Sequence, residues 1–300
     1  MIPQAGGKMR RSGTVKFQNS VNLFKFVHKV LVDQKGAKIN DQDVGNILEY
    51  NPSDCSHWKR GEKCVKSVFA LNRIAEVLNV EPALIFDIAS GSIGVDEGWF
   101  EYQESRAIQS ILRNLSGVSK ERIQLVKERA IEFAAQLLKQ ADFKAAPLYV
   151  PEVVRFFAFI SLQPADLIDR MSRILRVKAG QYVIQFPKGD LKPQTRLAMV
   201  KELVRIVCEG ERERFPEIGE RDQELLEFEE LVIATNLLIP YGMLKAEMSK
   251  IDIKKNIVNE LAATFWIPKT LVSLQLSQLL TSGERIDSIR RTPGESILSR

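Results

Sequence analysis

Between Tyr50 and Gly61 the chain is punctuated so closely that only one short helix fits. Tyr50-Asn51-Pro52-Ser53-Asp54 is turn chemistry, because proline is barred from a helix interior while Ser and Asp cap the segment that follows. Gly61 then stops that helix. Inside it, Cys55 and Trp58 stand three apart and face inward together, leaving Ser56, His57 and Lys59 on other faces. A helix this short, held by two anchors, depends on neighbours for its stability.

The flanking sequence supplies those neighbours. Asn22 to Lys35 has helical spacing through Leu23, Phe24, Val27, Val30 and Leu31, and Gly36 ends it. Asn40 or Asp41 offers an N-cap for a short helix packing through Val44, Ile47 and Leu48, with Gly45 between those contacts. After Gly61 a helix follows from Val65, with Val68, Leu71, Ile74, Ala75 and Leu78 at core spacing, and Glu81-Pro82 opens a last one through Leu84 and Ile85. Five helices in one small domain is the expectation.

Two short helices, a tight turn and an exposed polar helix are the ordered parts of a helix-turn-helix DNA reader. Periodicity alone equally allows a five-helix domain with no DNA role. The ungapped run Asn40 to Phe86 resembles the XRE family of phage-repressor-like helix-turn-helix regulators. The resemblance rests on Asp43-Val44-Gly45-Asn46, on Trp58-Lys59-Arg60-Gly61 and on the closing helices from Leu71 to Ile85. Gly45 stands where a small residue, often Ala, is usual.

By position, the resemblance puts Ser53, Asp54 and His57 where side chains reach major-groove base edges, with Ser56 on the same short helix. Asn40, Asp41, Lys59, Arg60, Lys63 and Lys66 fall where phosphates would be met. His57 is the leading reader, since an imidazole can donate to or accept from a base edge; a surface bystander is the alternative. Asp54 sits oddly beside an anionic duplex and either caps the helix or accepts from a cytosine amine.

A chain of 300 residues favours two domains over one. Its opening is lopsided, with Lys8, Arg10, Arg11, Lys16, Lys25, Lys29 and Lys35 against Asp33 alone, which suits phosphate attraction or simply a solvated arm. Three scattered cysteines, Cys55, Cys64 and Cys208, suit neither a disulfide framework nor a cysteine-rich zinc site. No signal peptide or membrane span is legible, so a soluble cytoplasmic protein is expected, without membrane association.

The expected layout is a flexible basic arm over 1 to 20, the helix-turn-helix domain over 21 to 90, a linker or connecting helix over 91 to 119, a second domain over 120 to 282, and a disordered tail over 283 to 300. Ser90 to Gly98 is rich in Gly, Ser and Asp, and Trp99 to Asn114 reads as a connecting helix. Glu121 to Lys139 carries an apolar stripe that suits a core or a dimer surface. Pro151 to Ile160 and Pro164 to Leu175 read as helices with first-turn prolines, and Gln181 to Phe186 as a strand. Thr195 to Cys208, Glu224 to Leu238, Ile253 to Phe265 and Lys269 to Leu280 read as helices, and the acidic run from Glu209 to Glu230 as a solvated loop and helix start.

Residues from about 120 to 280 resemble the ImmA/IrrE family of zinc metallopeptidase-like domains. The resemblance is carried by the order of helices and strand, by Arg196-Leu-Ala-Met-Val-Lys-Glu-Leu-Val-Arg-Ile, and by Glu229 ahead of Leu237-Leu238-Ile239-Pro240. Active members hold zinc with His-Glu-x-x-His. Here those positions read Lys201-Glu202-Leu203-Val204-Arg205, with Glu229 at the third ligand position. Two cations replace both imidazoles, and the chain's only histidines, His28 and His57, lie in the other half. No metal, no cofactor and no catalysis are therefore expected. Lys201 and Arg205 either stand in for the metal by pairing with Glu202 and Glu229, or form a solvated helix face.

The expected fold class is mainly α: a five-helix, lambda-repressor-like domain plus a mostly helical, zincin-like domain with a small β element. The expected function is a sequence-specific, dimeric transcription regulator of double-stranded DNA, whose degenerate peptidase-like domain acts as sensor or oligomerisation module. The effector would be a small molecule or a protein partner. The alternative is an antitoxin- or prophage-type regulator that docks a protein, and an active metallopeptidase ranks last.

Overall fold

The computed structural model describes residues 15–167, 171–178, 180–189, 192–210, 222–252 and 254–281. Most of the basic arm and all of the expected tail lie outside these residues, as does half of the acidic run. The chain divides into two compact units, Met1–Gln103 and Glu104–Arg300. It is mainly α-helical with one small sheet.

The first unit contains α1 (Gln18–Lys35), α2 (Asp41–Leu48), α3 (Pro52–Lys59), α4 (Val68–Leu78) and α5 (Pro82–Ser90). The helix α6 (Val95–Asn114) begins in it. Leu23, Phe26, Val27, Val44, Cys55, Trp58, Ile74 and Leu78 form the centre of one buried cluster. Local chemistry explains the boundaries. A capping box starts α2, with Asn40 accepting from the Asp43 N–H while the Asp43 carboxylate accepts from the Asn40 N–H. Pro52 occupies the first turn of α3, whose Asn51 N-cap accepts from Ser53 N–H.

Two local expectations give way here. Only four residues, 91–94, separate α5 from α6, and Trp99 and Tyr102 of α6 pack into the first core. The Gly, Ser and Asp content that suggests a linker is instead cap chemistry: Asp96 and Glu97 occupy the acidic first turn, and Glu97 accepts from Gly94 N–H at 3.1 Å. The unit boundary falls inside α6, which covers the connecting helix expected over Trp99 to Asn114 and starts four residues before it. Val68 is 57% exposed because it opens α4, and the buried stripe starts at Leu71.

The second unit holds α7 (Lys120–Gln140), α8 (Val150–Val154), β1 (Ile160–Ala165), β2 (Arg173–Lys178), β3 (Gln181–Pro187), α9 (Pro193–Gly210), α10 (Gln223–Leu238), α11 (Tyr241–Met248), α12 (Ile257–Phe265) and α13 (Lys269–Thr281). The strand order is β1-β3-β2, with β1 parallel and β2 antiparallel to β3. The helix expected from Pro164 to Leu175 is therefore wrong. Pro164 sits on the edge strand β1, where a missing N–H costs no ladder bond, and Ile174 and Leu175 pair with Ile184 and Val183. The helix expected to reach Ile160 stops at Val154, because Ile160 joins the sheet opposite Tyr182.

Helix α10 is enclosed on nearly all sides, with Leu231 to Leu238 buried without a break. A helix apolar all round belongs in a core, and α7 and α9 pack on it. Arg196 of α9 is also buried, and its guanidinium donates to the carbonyls of Leu148, Phe265 and Trp266 at 2.5 to 3.0 Å. Burial lowers this guanidinium to about 10. Helix α11 is legible in the structure but not in apolar periodicity, since Leu244 is its one buried residue. Among the described residues no helix is long and apolar enough to cross a membrane.

Candidate nucleic-acid interface

Helix α3 is anchored from one side only. Cys55 and Trp58 are fully buried, and Trp58 donates its indole N–H to the Ser20 carbonyl at 2.5 Å while meeting Phe24 edge-on at 5.1 Å. Ser20 also accepts the Val65 N–H on its hydroxyl, tying α1 to the segment after α3. The close approach of α2 and α3 depends on Gly45: a Cβ there would stand 3.0 Å from the Tyr50 carbonyl and 3.5 Å from Cys55 Sγ. Glu49 turns the chain between the two helices with φ 58°.

The opposite edge of α3 is open. Ser53, His57 and Lys59 are exposed and Asp54 and Ser56 half-buried, which matches the faces expected from the spacing of Cys55 and Trp58. Lys59 contacts both carboxylate oxygens of Asp41 on α2, at 2.9 and 3.1 Å. Lys63 pairs with Asp54 at 2.8 Å. Asp54 thus acts as an ion-pair partner, while Asn51 provides the cap. Asn40 is engaged in its own capping box, and Lys66 is exposed.

The third group was not legible in the spacing of α3. Glu62 accepts from His57 Nδ1 at 2.5 Å and from Arg60 through Nε at 2.9 Å and Nη2 at 3.1 Å. Arg60 and then His57 hold its carboxyl down at about 2. Gly61, with φ 70°, reverses the chain so that Glu62 N–H bonds the His57 carbonyl at 2.9 Å. Its sequence signal is the Gly stop itself, which places the next residue back over the last turn of the helix.

The positions compared above with a zinc site share a different arrangement. Lys201 reaches Glu104 of α6, at 2.8 and 3.1 Å, and not Glu202 or Glu229. Arg205 contacts Glu202 at 3.2 Å and Glu230 at 3.6 Å, while Ser172 donates to Glu202 at 3.4 Å. Of the expected pairings, Arg205 with Glu202 forms. Glu229 is 2% exposed and its Oε1 has no hydrogen-bond partner. Burial, and then the neighbouring Glu230, push its carboxyl up to about 7. A carboxyl in this setting keeps its proton to higher pH than a solvated one, and neither cation of α9 is among its contacts. Among the described residues no group of three or more His, Cys, Asp and Glu side chains is gathered as a metal would require.

The chain matches no family model, no curated protein and no solved structure.

Proposed function

We propose that the first unit reads double-stranded DNA with α3 and that the chain is a dimeric transcription regulator of the XRE type. The observation that carries this reading is the one-sided anchoring of α3: Cys55 and Trp58 bury one edge and Gly45 admits α2, leaving a polar edge with Ser53, His57 and Lys59 outward. A major groove accepts a helix presented in this way. In this reading His57 meets a base edge and Lys59, Arg60, Lys63 and Lys66 meet phosphates. Lys59, Arg60 and Lys63 are held by Asp41, Glu62 and Asp54 before DNA arrives. Exposed pairs of this kind are worth about 0 to 1 kcal/mol, so phosphates exchange with them cheaply.

Selection of bound sequences from random duplexes tests the reading. An enriched motif is expected, His57→Ala should relax it, and Lys63→Ala should weaken all sequences and flatten the salt dependence by about 0.9 in log-log slope per lost phosphate contact. Failure to enrich any sequence, with no salt-dependent binding to duplexes, counts against it.

The second unit serves, in the same proposal, as a sensor or oligomerisation module related to the ImmA/IrrE domains but without their chemistry. Ion pairing of Lys201 and Arg205 supports this assignment, because it spends both cations on carboxylates. A docking role for the unit, as in antitoxin- or prophage-type regulators, is favoured by Tyr149, Phe156 and Phe159, which are 60%, 42% and 38% exposed. Mass measurement with and without the second unit separates oligomerisation from ligand sensing. Metal analysis of the purified protein checks the absence of a peptidase: stoichiometric zinc lost in Glu229→Ala would reverse it. A cytoplasmic setting is part of the proposal, supported by three free cysteines.

A further inference from the structure

The contacts at the end of α3 carry one step more. Gly61 donates its N–H to the Trp58 carbonyl, and the Glu62 and Lys63 N–H groups both turn onto the His57 carbonyl, at 2.9 and 3.3 Å. This reversal brings the Glu62 carboxylate to Nδ1 of the imidazole. Glu62 is held ionised by Arg60, so it can only accept. Nδ1 must then carry a hydrogen. The Arg60 Nη2 lies 3.3 Å from the same nitrogen, but two donors make no hydrogen bond, so Glu62 is the group that sets the tautomer.

The remaining nitrogen, Nε2, is hydrogen-bonded by nothing among the described residues, and the His57 side chain is half exposed. In a neutral ring fixed in this way Nε2 presents a lone pair. A lone pair complements the exocyclic amines of adenine and cytosine in the major groove, and opposes the N7 and O6 acceptors of guanine. A ring released from Glu62 exchanges tautomers and presents an N–H at Nε2 part of the time, which guanine accepts.

We infer that Glu62 is a positioning residue that fixes the outward nitrogen of His57 as an acceptor and so selects an amine-bearing base, adenine or cytosine, against guanine. This rests on the DNA-reading role of α3 given above. Glu62 touches no base in this scheme and acts on base choice only through His57, while its hold on Arg60 restrains a phosphate-seeking cation.

The test uses the full chain in two arms. In the first, the ¹⁵N shifts of the His57 ring are recorded at a pH where they report a neutral imidazole, with His57→Ala supplying the assignment against His28. The wild type is expected in the Nδ1–H form, Glu62→Gln to keep it through its amide oxygen, and Glu62→Ala to gain the Nε2–H form. A wild-type ring already in the Nε2–H form, or no change in Glu62→Ala, overturns the inference.

In the second arm the same variants select from random duplexes at that pH. At the position that His57→Ala relaxes, the wild type should prefer adenine or cytosine, and Glu62→Ala should admit guanine with discrimination falling ~10-fold. Overall affinity should hold or rise as Arg60 is freed, which a folding defect would not produce. The double variant should be no broader than His57→Ala alone. An unchanged base preference in Glu62→Ala overturns the inference. No enrichment by the wild type, with the Nδ1–H form present in the first arm, overturns the DNA-reading role itself and leaves the pair as a local ion contact.

Discussion

The indole N–H of Trp58 is bonded to the carbonyl of Ser20, 38 positions earlier in the chain, and Ser20 in turn accepts the Val65 N–H on its hydroxyl. One buried serine thus holds both the last turn of α3 and the segment that follows it. The helix that we propose reads DNA is positioned by α1 as much as by its partner α2.

Replacing Ser20 by Ala should strand the buried Val65 N–H and cost about 1 to 3 kcal/mol of unfolding free energy. Trp58→Phe should cost a similar amount or more, since it removes the donor to Ser20 and leaves space against Phe24 and Tyr50. Urea unfolding midpoints check both. A loss below about 0.5 kcal/mol in each would show that the Ser20 contacts do not hold α3.

Asp41 and Asp54 restrain Lys59 and Lys63. Asp41→Asn and Asp54→Asn should each release a lysine and remove a negative charge near the expected phosphates. DNA binding should tighten by about 2- to 10-fold at low salt, with the gain shrinking as salt rises. Titrations of a selected duplex at two ionic strengths decide it, and weaker binding in Asp54→Asn would instead assign that carboxylate to a base amine.

Arg196 pairs with no carboxylate among the described residues and spends its guanidinium on three backbone carbonyls from two separated segments. Arg196→Met should leave those carbonyls unpaired and destabilise the second unit by about 3 kcal/mol. Arg196→Lys should rescue little, because a point ammonium cannot span the positions that a planar fork reaches. Thermal unfolding of the full chain should show the loss.

Glu229 predicts a pH dependence with a definite sign. Its folded carboxyl titrates at about 7, above the ordinary value of 4.5, so the unfolded chain gives up the proton first. The folded state therefore holds more protons between those values, and stability falls as pH rises from 4.5 to about 7, then levels off. Glu229→Gln cannot ionise and should be more stable than wild type above pH 7, by on the order of 1 to 3 kcal/mol. Its stability should vary less across that window. Glu230, also raised by burial but opposed by Arg205, leaves a residual slope of the same sign. Denaturation at about pH 5 and about pH 8 checks the difference between the two proteins.

The sequence by itself determined the helices of the first unit and the outward face of α3. Those features are local: Asn40, Pro52 and Gly61 act on the residues beside them, and the three-residue spacing of Cys55 and Trp58 settles which side is buried, although the cap of α3 is Asn51 and not the expected Ser53 or Asp54. Only the tertiary structure decided what sits between distant segments. Pro164 opens a helix or lies on a strand edge with equal ease until β3 arrives to pair with its neighbours. Lys201 chose Glu104, 97 positions away, over the carboxylate beside it, and Trp58 found Ser20 across 38. Caps and periodicity are encoded within a turn or two of chain, whereas a charge or a strand edge takes whichever partner the closed fold brings within reach.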